Sequence, residues 1–549
     1  MLEGFILDKI RIKNLRSLQD TGEINVKPLT VLVGKNSSGK STFLRFFPLM
    51  KQTLETRTNE PILWYSSRFV DFGSFEESIN YKHKKEKICF EFEFTVPKGY
   101  FMYESATFSI RRNNFFNNIE DSDLNKPFNF KIHIECSEKF VNKIQINFED
   151  HQIKIEMSSK ETLKSLTIND NEYSRGQFFK AAYSLEPSNI LPQISYKEDG
   201  NYSTFYTERH FIQKLFNNIV EFGHIDIDDD DDEIVRNKIK QVIETIPLGS
   251  SKEIFENLMT QDIIMDYFLK NPKIAMIDPD LQKTLIDNLL GLYLNQIIAL
   301  CNRYLELSFS SVKYIAPLRA SAERYYRIQG LSVDEIDSQG TNIPMMIHNM
   351  NSRDKTHFNK WVKDNFGFGV TTSFEGGHTS LKIKYDEYSD EINLADTGFG
   401  YSQILPIILV MWQATKVQTI SQKSVWKSTF FKFKEGFEKS MFTIVIEQPE
   451  LHLHPALQAK LIDTFVQLIT KAQEININLK IIIETHSETM LNRIGYLIAK
   501  KKFDFQHDLV NILIFNKLDA YHSTVESTGY SENGQLLNWP IGFFGSEDF

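Results

Sequence analysis

Cysteine is scarce in this chain of 549 residues, and the three that occur, Cys89, Cys136 and Cys301, are too far apart for the paired spacing of a zinc finger or ribbon. They read as small buried apolar side chains in a reducing compartment. Long apolar runs are missing as well. Nowhere do eighteen apolar residues follow one another, and the opening MLEGFILDKIRIKNLRSL alternates apolar with charged residues where a secretory signal carries an uncharged core. Contact with a membrane is therefore not expected, and a cytoplasmic protein is. Positive charge is in deficit: a net charge of −10 excludes a sleeve that wraps nucleic acid over its whole surface, because duplex binding needs clustered Lys and Arg. Basic clusters at residues 82–87, 423–434 and 500–502 keep local DNA or RNA contact open, although each taken alone fits a solvated face better. The acidic run 226–233 would repel a phosphate backbone and suits a loop or a surface for a basic partner. Repeats and sustained heptads are absent.

What is present suffices for two or three domains. The hydrophobic fraction is that of an ordinary globular chain, and 44 Phe supply large buried layers or partner surfaces. The first forty residues alternate as strands do and end in a glycine-rich turn, after which helical spacing covers residues 41–54. Period-two patterning rich in Phe and Ile over 87–96, 106–111 and 131–156 predicts an antiparallel sheet. Helical spacing returns over 209–309. Beyond residue 312, strands are expected at 312–317, 381–385, 443–446, 480–484 and 509–516, with helices at 403–416, 455–472 and 488–501. Such alternation implies a parallel sheet covered on both faces.

Three motifs carry chemistry. Gly34-Lys35-Asn36-Ser37-Ser38-Gly39-Lys40-Ser41 follows the apolar LTVLV and precedes a helical run. Its glycines let main-chain N–H groups wrap phosphate oxygens, Lys40 would meet the β- and γ-phosphates, and Ser41 would ligate Mg²⁺. The second motif, VIEQPELHLHP, puts Glu447 at the carboxyl end of a strand, where a carboxylate can hold Mg²⁺. Gln448 follows; its amide can orient water but cannot accept a proton, and Glu450 is the nearest substitute base. His452 and His454 allow a metal reading or a structural one, with His454 ordering the turn before Pro455. The third motif is Thr485-His486-Ser487, just past the apolar strand at 480–484. His486 can donate to a γ-phosphate or hold water there, while Ser487 can simply cap a helix. A further stretch, Asp396-Thr397-Gly398-Phe399-Gly400-Tyr401-Ser402-Gln403, opens a helix that Pro406 should keep from starting much before Ser402, and its free N–H groups offer an anion-binding end or a plain glycine-rich start.

In order and content these motifs resemble the ABC-type ATPases of the SMC/Rad50/RecF/OLD class. The resemblance covers both ends of the chain and implies an α/β fold: an ABC-type P-loop ATPase head with a mixed, mainly parallel sheet flanked by helices and an antiparallel β subdomain, interrupted by a helical insert. The implied divisions are 1–85 and 311–549 for the head, 86–205 for the β subdomain and 206–310 for the insert. It further implies ATP and Mg²⁺ as cofactors, with Gly34, Asn36, Ser37, Ser38, Gly39, Lys40, Ser41, Thr42 and Arg16 at the nucleotide and Ser41 and Glu447 at the metal. Glu447, Gln448, Glu450 and His486 would be catalytic. Gly398, Gly400, Ser402 and Gln403 would act on the nucleotide of a second copy, in a homodimer or higher oligomer closed around ATP.

The tail WPIGFF, residues 539–544, resembles that of the PtuA-type ATPases of Septu and retron defence systems, which implies a PtuB-like HNH nuclease as effector and possible contact with DNA, RNA or a retron reverse transcriptase with its msDNA. Departures from the class are Gln448 in place of glutamate, no glutamine between Thr53 and Tyr100, where residues 71–75 (DFGSF) stand instead, and too short a stretch after His486 for an appended nuclease domain. A RecF-like DNA repair ATPase and a nuclease with a site in the insert remain the alternatives.

Overall fold

The computed structural model describes residues 6–98, 126–174, 178–183, 189–223, 246, 248–260, 279–327, 335–385, 390–423, 441–475 and 477–539. The expected strand at 106–111, the acidic run at 226–233, the basic cluster beyond Lys423 and the tail beyond Trp539 lie outside the described residues. The chain divides into two compact units, one of Asp8–Thr53, Leu63–Glu86 and Leu307–Phe549, the other of Met1–Leu7, Leu54–Ile62 and Lys87–Glu306.

The first unit is a sheet with helices on both faces. Its strands are β1 (Ile6–Leu15), β2 (Leu18–Asp20), β3 (Leu29–Gly34), β4 (Val312–Ile315), β5 (Met441–Glu447), β6 (Asn478–Glu484), β7 (Val510–Lys517) and β8 (Ser523–Thr528), in spatial order β1-β2-β8-β7-β3-β6-β5-β4. From β7 to β4 every pair is parallel. Runs such as LTVLVG in β3 and MFTIVIE in β5 are buried at every position, as a central parallel strand requires. Among its helices are α1 (Lys40–Glu55), α2 (Phe399–Lys423), α3 (Pro455–Glu474) and α4 (Glu488–Ala499). Alternate residues of the strands, among them Val31, Ile446, Ile483 and Ile512, share one core with Trp412 of α2, Phe465 of α3 and Ile494 of α4. On the opposite face Phe515 meets Phe43 of α1, with ring centroids 5.9 Å apart.

Two expectations are corrected in this unit. α2 begins at Phe399, ahead of Ser402, and continues through Pro406, whose missing N–H leaves the Ser402 carbonyl without a main-chain donor four residues on. The helix tolerates this because residues 404–412 are buried and their packing outweighs the lost bond. The strand expected at 381–385 spans His378–Lys384 and lies outside the parallel sheet: it pairs antiparallel with Gly369–Glu375. Gly376 and Gly377, at φ +57 and +80, close that hairpin with the left-handed pair that a two-residue turn needs.

The second unit contains an antiparallel meander of Ile88–Pro97, Pro127–Cys136, Val141–Phe148, His151–Met157, Leu163–Ile168 and Asn171–Ser174. Phe90, Phe92 and Phe94 alternate into its core with Ile132, Ile134, Ile144 and Ile146, and Phe94 stacks on Tyr304 at 3.6 Å between centroids. Cys136 and Cys301 are buried as expected. Cys89 is not: it is half-buried on the polar face of its strand, between Ile88 and Phe90, which point inward. Helices Thr204–Gly223 and Pro279–Leu292 pack together in this unit, where a Cβ on Gly291 would lie 2.2 Å from the Phe211 ring. No single helix among the described residues is long and apolar enough to cross a membrane; Pro279–Leu292 and Leu294–Ser310 meet that test only as a pair bent by 55°, and their apolar residues are buried.

Close main-chain packing fixes α4. A Cβ on Gly495 would stand 2.4 Å from Gly534 O. Gly495→Ala is therefore expected to cost about 2 kcal/mol through forced displacement. Urea denaturation measures it, and an unchanged midpoint would contradict the contact.

Candidate functional site

The loop between β3 and α1 is clasped by its neighbours. A Cβ on Gly34 would lie 2.4 Å from Phe515 O, and one on Gly39 would lie 2.9 Å from both Ser17 Oγ and Leu18 Cδ2, so only glycine fits either place. The loop faces a cavity of about 540 Å³ lined by residues 36–42 together with Arg16, Ser17, Gln448 and Glu484. Arg16 occupies the β1–β2 turn at φ +49, with its guanidinium over the Phe72 ring at 4.5 Å, so the DFGSF stretch supports it.

A triphosphate with Mg²⁺ fits the groups gathered here. Ser38 Oγ is buried with no hydrogen-bond partner. Lys40 is buried, and its Nζ donates to Gly34 O at 2.9 Å and Lys35 O at 2.8 Å, while Glu484 Oε1 stands 3.9 Å away. Burial pushes its ammonium below the usual range, against the opposing pull of Glu484 and Glu450, and phosphate oxygens would supply the missing counter-charge. The N-terminus of α1 adds its unpaired N–H groups.

Two carboxylates stand side by side beneath the cavity. Glu447 and Glu484 are register partners on β5 and β6, and Arg45 and Ser41, one turn apart on α1, meet them respectively. Ser41 Oγ donates to Glu484 Oε2 at 2.7 Å. Arg45 grips Glu447 with two bonds, Nε to Oε1 at 2.7 Å and Nη2 to Oε2 at 2.9 Å, and Tyr314 Oη donates to Oε1 at 2.6 Å. The bond to Glu447 raises the Arg45 pKa, whereas burial, only partly countered by Ser41, raises that of the Glu484 carboxyl. Glu447, expected beside the metal with Ser41, thus has both oxygens engaged and does not line the cavity; Glu484, which β6 places next to β3, does.

Gln448 lines the cavity at φ +44, a left-handed conformation held by its N–H bond to Glu484 O at 2.8 Å. Glu450 binds the loop after β6, accepting from Thr485 Oγ1 at 2.8 Å and His486 N at 2.7 Å, and burial raises its pKa. His486 is exposed near Lys40, and partial desolvation followed by that charge lowers its pKa. Ser487 caps α4 by accepting from Met490 N, and His454 caps α3 through Nδ1, which accepts from Ala456 N. His452 lies beside the Phe399 ring instead.

The glycine-rich stretch before α2 is not brought to this chain's own loop cavity. Gly398 has open space around it, Gly400 abuts His452 O, Ser402 Oγ donates to Phe399 O at 2.8 Å, and Gln403 Nε2 donates to Arg319 O at 3.3 Å. Sequence reasoning missed Glu484, Arg45, Tyr314 and Arg319. Arg319 Nη2 donates to Glu447 O at 2.8 Å, while its Nε and Nη1 are buried without hydrogen-bond partners. The one available signal was a charged residue ending or following an apolar strand: Glu484 in KIIIE and Arg319 in YIAPLR.

The protein family described as AAA ATPase domain matches residues 6–491. A search of curated proteins gives no match. Among solved structures, the SMC head bound to the C-terminal winged-helix domain of ScpA aligns over 95% of this chain and 98% of that chain at 11% identity with a TM-score of 0.31. The SMC head domain from Thermotoga maritima aligns over the same shares at 9% identity with a TM-score of 0.30.

Arg45 is the cation paired with Glu447, whose side chain is 2% exposed. Removing it in Arg45→Ala should cost roughly 3 kcal/mol, because the carboxylate is then left buried without a partner charge. Arg45→Lys should recover only part of the loss, since an ammonium cannot form the fork. Chemical denaturation gives both values; equal stability of all three proteins would contradict the pairing.

Proposed function

Because the chain belongs to the AAA ATPase domain family, we propose that it binds ATP with Mg²⁺ at the loop of residues 34–41, hydrolyses it slowly, and uses binding to close two copies around the nucleotide. The observation that carries this reading is the Ser41–Glu484 hydrogen bond inside a glycine-bounded cavity that also holds Lys40. Main-chain N–H groups and Lys40 hold the phosphates, and Ser41 with Glu484 hold Mg²⁺, whose charge neutralises the phosphate oxygens. Gln448 orients water without accepting its proton, so turnover is slow. His486 senses the γ-phosphate from the edge of the site.

Gly398, Gly400, Ser402 and Gln403 stand apart from their own chain's cavity, which suits residues offered to the nucleotide of a second copy. Closure then changes the surface presented to a separately encoded effector, an HNH nuclease of the PtuB kind in anti-phage defence, because binding free energy alone shifts populations between open and closed pairs. The resemblance of the WPIGFF tail is the support for that effector.

Lys40→Ala should weaken ATP binding in calorimetry by about tenfold to a hundredfold, the value of one charge-assisted phosphate contact. Unchanged affinity would remove the loop from the account. Gly398→Glu has room for its side chain and should leave ATP binding by the single chain intact while abolishing ATP-dependent dimerisation in light scattering. Dimers that form normally would overturn the two-copy arrangement.

A further inference from the structure

We propose that Cys89, His133 and Glu135 form a transition-metal site of the zinc type on the polar face of the antiparallel meander, independent of the nucleotide site. The ligand atoms of these three side chains all lie within 4.8 Å of one another. The fold, not chance proximity, sets this grouping. Cys89 and Glu135 are register partners on adjacent strands, as are Glu91 and His133, so four side chains stand on one face while the residues between them enter the core.

The roles of the four follow from their hydrogen bonds. His133 Nδ1 lies 3.2 Å from Glu91 Oε1, and Nε2 lies 3.0 Å from Glu135 Oε1. Glu91 thereby orients the imidazole from behind, the carboxylate–histidine arrangement that fixes a metal-binding ring, and Nε2 is left directed at the position flanked by Glu135 and the Cys89 sulfur. Cys, His and carboxylate are zinc donors, and three protein ligands with one open position make a site that keeps a water or accepts a further ligand. Ligand separations must contract from the present spread to the ~3.5 Å of tetrahedral coordination, which side-chain rotation on a half-exposed face allows. Partial exposure also provides the entry path. Lys143 and Lys131 pair with Glu135 at 3.5 Å and Glu91 at 3.7 Å, and at such spacing and exposure these ion pairs are weak competitors for a divalent cation.

Sequence spacing hides this site because its members come from two strands separated by residues 98–126, and the sulfur is not one of a pair. The other two cysteines are buried, so a thiolate–metal signal from the folded protein reports Cys89.

The test uses the full chain, freed of metal by chelation, kept reduced and titrated with Co²⁺ in the absence of nucleotide. A thiolate-to-cobalt charge-transfer band should appear in the near ultraviolet and vanish on addition of Zn²⁺. Cys89→Ser should abolish the band while leaving circular dichroism unchanged. Glu135→Gln and His133→Gln should weaken Co²⁺ affinity at least tenfold, and Glu91→Gln should weaken it by about ten- to a hundredfold while keeping the band, as loss of an orienting partner does. Absence of the band in the natural protein, or its survival in Cys89→Ser, overturns the proposal. So does a band that persists at full affinity in both Glu135→Gln and His133→Gln.

Discussion

Two carboxylates on neighbouring parallel strands must each find a different partner, and that constraint organises the nucleotide unit. Glu447 and Glu484 are register partners, about one strand spacing apart, and the charge of Glu447 is one cause of the raised Glu484 pKa. A single helix resolves the conflict because residues four apart share one face. Arg45 neutralises Glu447 with a two-pronged bond, and Ser41 gives Glu484 a weaker, neutral donor. The acid nearer the glycine loop is therefore held by Ser41 and by Lys40 at 3.9 Å, without a two-pronged cation, and stays open to a metal ion, whereas the farther acid ties α1 to the sheet.

The remainder of the site follows from this division. Tyr314 on β4 completes the shell of Glu447 from the far side, and Arg319, in the segment that follows β4, holds the Glu447 main-chain carbonyl, so β4 and its outgoing segment fix the acid. The N–H of Gln448 is tied to Glu484 O, which turns its amide toward the cavity in a conformation that side chains seldom adopt. Gln403 at the start of α2 reaches the Arg319 carbonyl. The glycine-rich start of α2 and the acids beneath the loop thus share a chain of contacts through Arg319, a physical route by which events at one could be felt at the other.

Much of this was legible from residues alone. Gly34 to Ser41 sat between an apolar strand and a helical run, and periodicity located β5, β6, β7, α3 and α4 because central parallel strands and amphipathic helices imprint their burial on sequence. What stayed hidden depended on partners distant in sequence. Glu447 and Glu484 read alike, each an acid ending an apolar strand, and only strand order shows that β6 lies beside β3 and β5 one place farther. The start of α2 was misread because Pro406 is normally a first-turn residue, a local rule that tertiary packing overrode. The hairpin at Gly376-Gly377 was taken for a strand of the main sheet because a short alternating run does not declare its partner. Cys89 was misjudged for a similar reason: composition says cysteines are buried, but the phase of its strand puts this one on the polar face.

The central claim is that Glu484, with Ser41, faces the metal of a triphosphate while Glu447 stays with Arg45. A crystal structure with Mn²⁺ and a non-hydrolysable ATP analogue, read by anomalous scattering, addresses it most directly. The account predicts a metal peak about 2.1 Å from Ser41 Oγ, with Glu484 bound to it directly or through one water and the Arg45–Glu447 fork intact. A peak coordinated by Glu447 with Arg45 displaced, or a triphosphate bound away from residues 34–41, would contradict it.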